Sequence, residues 1–332
     1  MAHKGAEARG EGVARGARRE VAAPGTIRTE EQLVRAFTLD SFESPPRLRD
    51  DLPEPTAAEG ELLIRVHASS VNPVDAAIAG GVLKEMAEHD FPVTLGRDLA
   101  GVVERVGRDV SRYQIGDEVY GFLPAVNPTV HEGSWAELIT VPEFNFVAPK
   151  PRNLDLAEAG AAPLAGITAL AARDVLEPTS DKTILVIGAT GGVGSFFVQL
   201  ASAAGAHVVA PALPEDEGYL RDLGTSEILD RDADLDITVD AILDVVSYAP
   251  RDELLNEGGR LASPLGAAGD GPLRFNLVAQ PTPENLQRLG ELLDDRTLRV
   301  HLQRNYLLAH AAEALQALSN VHKQGKLGVE IA

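Results

Sequence analysis

From Thr183 to Leu213 the chain runs without an Asp, Glu, Lys or Arg, and the pattern inside that stretch predicts strand, turn, helix and strand. Ile184-Leu185-Val186-Ile187 is a short β-branched run, with the length and composition of a parallel strand covered on both faces. Phe196, Val198, Leu200 and Ala201 then supply a compact apolar helix that Gly205 ends as a C-cap would. His207-Val208-Val209-Ala210 supplies the second strand. A membrane span would need the apolar run unbroken, but Gly188-Ala189-Thr190-Gly191-Gly192 interrupts it, and Gln199 and His207 break the remainder.

Elsewhere the pattern divides the chain in two. Residues 1–31 read as a mixed-charge, disordered tail, and Gln32 to Leu39 as the first strand of the folded part. Pro45, Pro46, Pro53 and Pro55 predict an extended surface connection. Over Glu61 to Ala68, apolar Leu62, Ile64, Val66 and Ala68 alternate with Leu63, Arg65 and His67, as in a half-buried strand. Asn72-Pro73 forces Asn72 out of the helical region, and Asp75 is placed to cap a short helix beginning at Ala76. Gly96 to Gly107, Gly116 to Gly121 and Leu138 to Val141 predict short antiparallel strands joined by glycine turns, hence a compact, barrel-like β domain. From about Asn153 the character changes. Leu156 to Leu176 is an Ala-rich helix interrupted by Pro163 and Gly166, and helix and parallel strand alternate thereafter. Predicted strands follow at Ser226 to Asp230, Ala241 to Val246 and, after a Gly258-Gly259 turn, Arg260 to Ser263. Leu298 to Leu302, a helix from Ala309 to Val321 and a strand from Gly325 to Val329 return the chain to the β domain.

Length and charge narrow the function classes. A chain of 332 residues has room for two domains and ample core. A net charge of −20 repels nucleic acid and anionic lipid, so neither is expected as a partner. Without cysteine there is no disulfide, no thiolate nucleophile and no Cys-based zinc site. No signal peptide is expected, since the first residues lack an apolar core, and a cytoplasmic location follows as the expectation.

The candidate chemistry sits in the turn between the first parallel strand and its helix. Ala189-x-Gly191-x-x-Gly194 has the spacing of a dinucleotide fingerprint, with Ala for the first glycine. Gly191 and Gly192 let backbone approach a pyrophosphate, and Gly194 lets helix pack closely on strand. The helix N-terminus directs free N–H groups at the phosphates. Ala189, Thr190, Gly191, Gly192, Val193 and Gly194 are therefore assigned to cofactor binding.

Val71-Asn72-Pro73-Val74-Asp75, Gly96-Arg97-Asp98-x-Ala100-Gly101, Gly116-Asp117-x-Val119 and Gly133-x-Trp135-Ala136-Glu137, in that order, resemble the medium-chain dehydrogenase/reductase superfamily. Pro163 to Ala169, Gly258-Gly259-Arg260-Leu261 and Gly325-Lys326 continue the resemblance, which is closest to the zinc-free quinone oxidoreductases that include zeta-crystallin. It implies an α/β fold: a doubly wound Rossmann sheet, 156–298, inserted in a β-rich GroES-like barrel domain, 32–155 plus 299–332. It also implies that Thr168 lies beside the nicotinamide, the alternative being a hydroxyl bonded back within its helix. Val246, Ser247, Pro264 and Lys326 would line the cofactor, and Leu213 and Glu215 occupy the positions that read the ribose 2′-phosphate. With an acid at Glu215 the preference for NADPH over NADH is expected to be weak, and NADH is an admissible donor. Arg221 is a second candidate for the phosphate, otherwise an exposed helix residue.

Zinc-dependent relatives carry a cysteine where Asn72 stands and a histidine where Arg97 stands, so no metal is expected. The resemblance implies hydride reduction of quinones or conjugated carbonyls, resting on cofactor, positioning and hydrogen bonding to the acceptor oxygen. Asn72 is the candidate catalytic residue, orienting nicotinamide or substrate carbonyl, unless the Asn-Pro pair only shapes the turn. Some quinone reductases carry a tyrosine where Ala77 stands, which leaves no proton donor there. The loop Leu123 to Glu132, with Asn127 and His131, is expected to border the substrate cleft. Two other readings stay open, an enoyl thioester reductase and a cofactor-binding protein with little turnover. A homodimer through the Rossmann sheet edge is the family habit.

Overall fold

The computed structural model describes residues 33–125 and 132–332, so the tail, Gln32, Asn127 and His131 lie outside the described residues. A six-stranded parallel sheet is the frame for the glycine turn. Its spatial order is Glu227–Asp230, His207–Ala212, Thr183–Ile187, Val239–Asp244, Leu255–Ser263 and Arg274–Asn276. Counted along the chain, that order reverses direction beside Thr183–Ile187, the topological switch point where ligands bind in doubly wound sheets. Ile184 and Val186 pack against the helices Pro163–Leu176 and Gly192–Ala203, while Leu185 faces the opposite layer with Val209, Ile242 and Leu261. Burial on both faces is why this strand reads as a continuous apolar run.

A second, seven-stranded sheet is mostly antiparallel and built around Glu61–Ser70. That strand changes neighbours along its length. Glu61 to Arg65 pair with Leu138–Pro142, and Ala68 to Ser70 pair with Lys326–Glu330 near the end of the chain. Leu63 is buried as well as Leu62 and Ile64, because the strand is covered on both sides where the half-buried pattern predicts one. Trp135 is fully buried, and an added Cβ on Gly96 would fall 2.2 Å from its ring. Gly96 also has φ of +90°, so the Gly-Arg-Asp turn needs glycine twice over. Tyr120 of this sheet donates to the Leu286 carbonyl, 2.5 Å away on the helix Pro283–Asp294 that packs beside the parallel sheet.

Four local expectations are corrected. Arg47–Pro53 is a strand paired antiparallel with Leu33–Leu39, not a surface connection. It is largely exposed, and Pro53 sits at its end where no ladder donor is needed. Gly258 and Gly259 form a bulge inside the strand Leu255–Ser263 rather than a turn before it, which is why the register against Val239–Asp244 slips. The helix Leu156 to Leu176 is two helices, Leu156–Ala159 and Pro163–Leu176, with Pro163 at the N1 position that tolerates it. Gly166 does not interrupt the second. It brings that helix close to Leu289, whose Cδ1 would lie 2.8 Å from an added Cβ. Among the described residues no helix is long and apolar enough to cross a membrane.

Candidate active site

A cavity of about 890 Å³ opens between the carboxyl ends of the parallel strands and the second sheet. Its floor is the turn that follows Thr183–Ile187. The helix Gly192–Ala203 begins there with Gly191 as N-cap in an extended conformation, so its first N–H groups face the cavity. Gly188 has φ of +87°, and an added Cβ there would collide with Val245 and Val246 at the neighbouring strand end. The two fingerprint glycines differ in role. A Cβ on Gly191 would find nothing nearer than 3.6 Å, which leaves the space above it to a ligand. A Cβ on Gly194 would fall 2.2 Å from the Gly188 carbonyl oxygen, so Gly194 sets the approach of helix to strand.

The last strand closes over this turn. The Gly325 N–H donates to the Thr190 carbonyl at 2.7 Å, and Gly191 and Gly325 form an isolated bridge. The methylene stem of Lys326 therefore lies against Gly192. Its ammonium reaches Asn72, with Nζ 2.6 Å from Oδ1, and Asp98, 3.4 Å from Oδ2. Asn72 is the N-cap of the helix Pro73–Ala79, and its own N–H donates to the Asp75 carboxylate at 2.7 Å. Asp75 thus acts from the third helical position instead of capping from the front. Both Asn72 amide protons have takers: Asp98 Oδ2 at 2.8 Å and Ser70 Oγ at 3.3 Å. Asp98 is the hub. Its other oxygen accepts from the Leu164 N–H at 2.7 Å, and its carbonyl accepts from Ser69 and Ser134.

Asn72, Thr168, Thr190, Gly191, Gly192, Val193, Val246, Pro264 and Lys326 are brought together on the cavity wall. Thr168 donates its hydroxyl to the Leu164 carbonyl at 2.7 Å, the back-bonded alternative, while its side still lines the space. Ala189, Gly194, Leu213, Glu215 and Ser247 are not in the wall. Ala189 and Gly194 pack beneath it. Glu215 is exposed on the short turn Pro214–Asp216, where Asp216 points inward instead. The Asp216 carboxylate lies 2.7 Å from His322 Nε2 and accepts from Gln324 Nε2 at 2.9 Å. Burial works against its charge, but these bonds and the His322 charge hold it below the usual carboxylate range. Arg221 is turned away, donating to the Ser226 carbonyl at 2.7 Å. The wall contains cations that sequence reasoning missed, Arg231, Arg251 and Lys323. None lies in a glycine motif, so only the folded strand ends reveal them.

Asp75 is fully buried, and loss of water pushes its carboxyl from 3.8 up to about 7. Asp98 adds to the rise, while the charges of Arg97 and Lys326 and the Asn72 N–H oppose it. The native state therefore holds a proton that the unfolded chain has released, so this group makes stability decline as pH rises from about 4 to about 7. Asp75→Asn is expected to flatten that decline in melting temperature. A variant that keeps the wild-type slope would assign it to other groups.

The residues do not fit a zinc ion. Arg97 is buried and carries a guanidinium, which has no lone pair to give, and it donates to the Glu132 carbonyl at 2.7 Å. Asn72 is committed to Lys326, Ser70 and Asp98, and no three His, Cys, Asp or Glu cluster among the described residues.

Residues 58–152 match the family model described as the alcohol dehydrogenase GroES-like domain, and residues 223–327 match that of a zinc-binding dehydrogenase. The NADPH-dependent alkenal/one oxidoreductase of Arabidopsis thaliana chloroplasts is 31% identical over 294 residues, covering 85% of this chain and 75% of that protein. The chain belongs to the medium-chain dehydrogenase/reductase superfamily. The mouse mitochondrial NAD(P)H oxidoreductase RTN4IP1 is 37% identical over 188 residues, so this superfamily member matches 46% of that relative's length with 51% of its own. The quinone oxidoreductase of Coxiella burnetii superposes with a TM-score of 0.80 at 29% identity, over 90% of this chain and all of that one.

Proposed function

We propose that this protein is a zinc-independent reductase that takes hydride from NADPH and delivers it to quinones or conjugated carbonyls. One observation carries the reading: the open glycine turn and the Asn72–Lys326 pair face the same largely apolar cavity. Thr190 to Val193 would hold the pyrophosphate at the helix N-terminus, and Thr168, Val246 and Pro264 would flank the nicotinamide. A bound reduced nicotinamide supplies the hydride. The chain supplies apolar walls, such as Val71, Phe122 and Leu277, that exclude water around a flat acceptor. Relatives named for alkenal, alkenone and quinone reduction support this substrate class. The division into a GroES-like domain with a Rossmann insertion, and a second copy across the sheet edge at Arg274–Asn276, belong to the same proposal.

Oxidation of NADPH by the purified protein, followed at steady state with quinones, enones and enoyl thioesters, tests it. Turnover confined to enoyl thioesters would replace the substrate class. No turnover with any acceptor would leave a cofactor-binding protein.

For the donor, we propose that the 2′-phosphate meets Arg231 and Lys323 instead of the position of Glu215. Arg231 follows the strand Glu227–Asp230, and its N–H donates to the Ala212 carbonyl at the end of the second strand. Arg231→Glu is expected to weaken NADPH about tenfold at low salt while sparing NADH, with a difference that shrinks as salt screens the charge over about 8–10 Å. Glu215→Arg should leave both dissociation constants in place. Equal loss of both cofactors in Arg231→Glu would remove the residue from phosphate recognition.

A further inference from the structure

Lys326 carries a charge into a place that is 4% exposed, and the groups around it are arranged for its benefit. Its stem crosses Gly192, so the ammonium lies beyond the phosphate turn and beside Asn72. Asn72 gives both amide protons to Asp98 and Ser70 and turns its oxygen to Lys326. As held, Asn72 has no N–H left for a carbonyl oxygen. Lys326 does: Asn72 and Asp98 take two of its three protons, and among the described residues nothing takes the third. Lys326 also lines the cavity, whereas Asp98 stands behind it, fully buried.

We infer that Lys326, rather than Asn72, donates the hydrogen bond to the acceptor's carbonyl oxygen, and that Asn72 and Asp98 are positioning residues for that ammonium. The inference rests on the reductase reading above. When hydride reaches the β-carbon of a conjugated carbonyl, a C–H bond forms there, the C=C electron pair shifts toward the carbonyl, and negative charge collects on oxygen. A fixed ammonium at that oxygen favours the charged species over the neutral ketone, which is differential binding in the direction of reaction. A proton from water at the α-carbon then yields the saturated ketone. With a quinone the hydride brings two electrons and one hydrogen, and a single net proton from water completes the hydroquinone. Asp98 balances the ammonium in the resting site, and Asn72 holds it on the cavity side.

Lys326→Met tests the inference, with Asp98→Asn/Lys326→Met as a charge-balanced companion should the single variant fold poorly. Three quantities are measured: turnover with enones, NADPH dissociation by fluorescence titration, and the absorbance titration of 4-nitrophenol bound to the protein with NADP+. The phenol is the probe of an oxygen whose charge the ammonium would favour. Removing Lys326 is expected to lower turnover about a hundredfold or more, with NADPH affinity changed by less than about threefold. It should also raise the apparent pKa of the bound phenol by about one unit or more. Asn72→Ala keeps the ammonium and should move the phenol less than Lys326→Met. Loss of NADPH binding that accounts for the lost turnover would make Lys326 a cofactor ligand and overturn the inference. So would a bound phenol that titrates alike with and without Lys326. If the wild-type protein reduces no acceptor, the function reading fails, and the phenol titration still reports on Lys326 by itself.

Discussion

Gly191→Val is expected to abolish NADPH binding while the protein melts as the wild type does, and Gly194→Val to lose the fold's stability itself. The two glycines are three residues apart, yet they face opposite sides of the same turn. Gly191 has φ of −76° and ψ of 179°, a conformation open to any residue, and an added Cβ has 3.6 Å of clearance. Its isopropyl group would stand in the space the pyrophosphate needs, so affinity should fall more than about a hundredfold, roughly 3 kcal/mol. Gly194 has no such room. Its Cβ would meet backbone, the Gly188 oxygen at 2.2 Å and the Ala189 Cα at 2.7 Å. Backbone yields less readily than a side chain, and the space beside Gly188 is taken, since a Cβ there would fall 2.6 Å from Val245 and 2.7 Å from Val246. Overpacking against backbone costs about 1–3 kcal/mol or more, so a drop in melting temperature of roughly 5–10 °C is expected. Thermal melts and fluorescence titration on the same samples check both. A Gly191→Val protein with wild-type affinity would show that phosphate does not sit on this turn.

Asp98→Ala should be among the most damaging single changes in the protein. It would take the countercharge from the Lys326 ammonium and an acceptor from the Leu164 N–H, the Ser70 hydroxyl and one Asn72 amide proton, around a carboxylate that is fully buried. Breaking a buried ion pair from one side costs about 3–5 kcal/mol, because the remaining charge stays buried. Asp98→Asn keeps the shape and one acceptor oxygen and should lose less, about 1–3 kcal/mol. Asp98→Asn/Lys326→Met removes both charges together, so it should be more stable than the sum of its single variants predicts. Denaturant titration of the wild type, the three single variants and the double variant measures this directly. Wild-type stability in Asp98→Ala would mean that the hub carries no energy.

Much of the fold was legible because burial leaves a mark on composition. Ile184, Leu185 and Val186 are each fully buried, and a strand covered on both faces has no polar position to disguise it. The glycine spacing could be read for the same reason, since close approach of backbone admits few residue types. Arg47–Pro53 went unread because it is an exposed strand with proline at its end, where neither alternation nor apolar runs survive. The Gly258-Gly259 bulge resembles a turn in sequence because both need a glycine conformation, and only the register against Val239–Asp244 separates them.

The site divides along the same line. The sequence by itself determined the class of fold, the glycine turn between strand and helix and the absence of cysteine ligands, because each depends on local backbone freedom or on which atoms a side chain owns. Only the tertiary structure decided which groups Asn72 bonds. Its partner Lys326 stands 254 positions along the chain, and Asp98 reaches both through a different strand. It also decided that Asp216, not Glu215, turns inward and that Arg231 and Lys323 reach the cavity. Hydrogen bonds and charge act over a few ångströms of space, and no periodicity in sequence records which distant residues the folded chain brings that close.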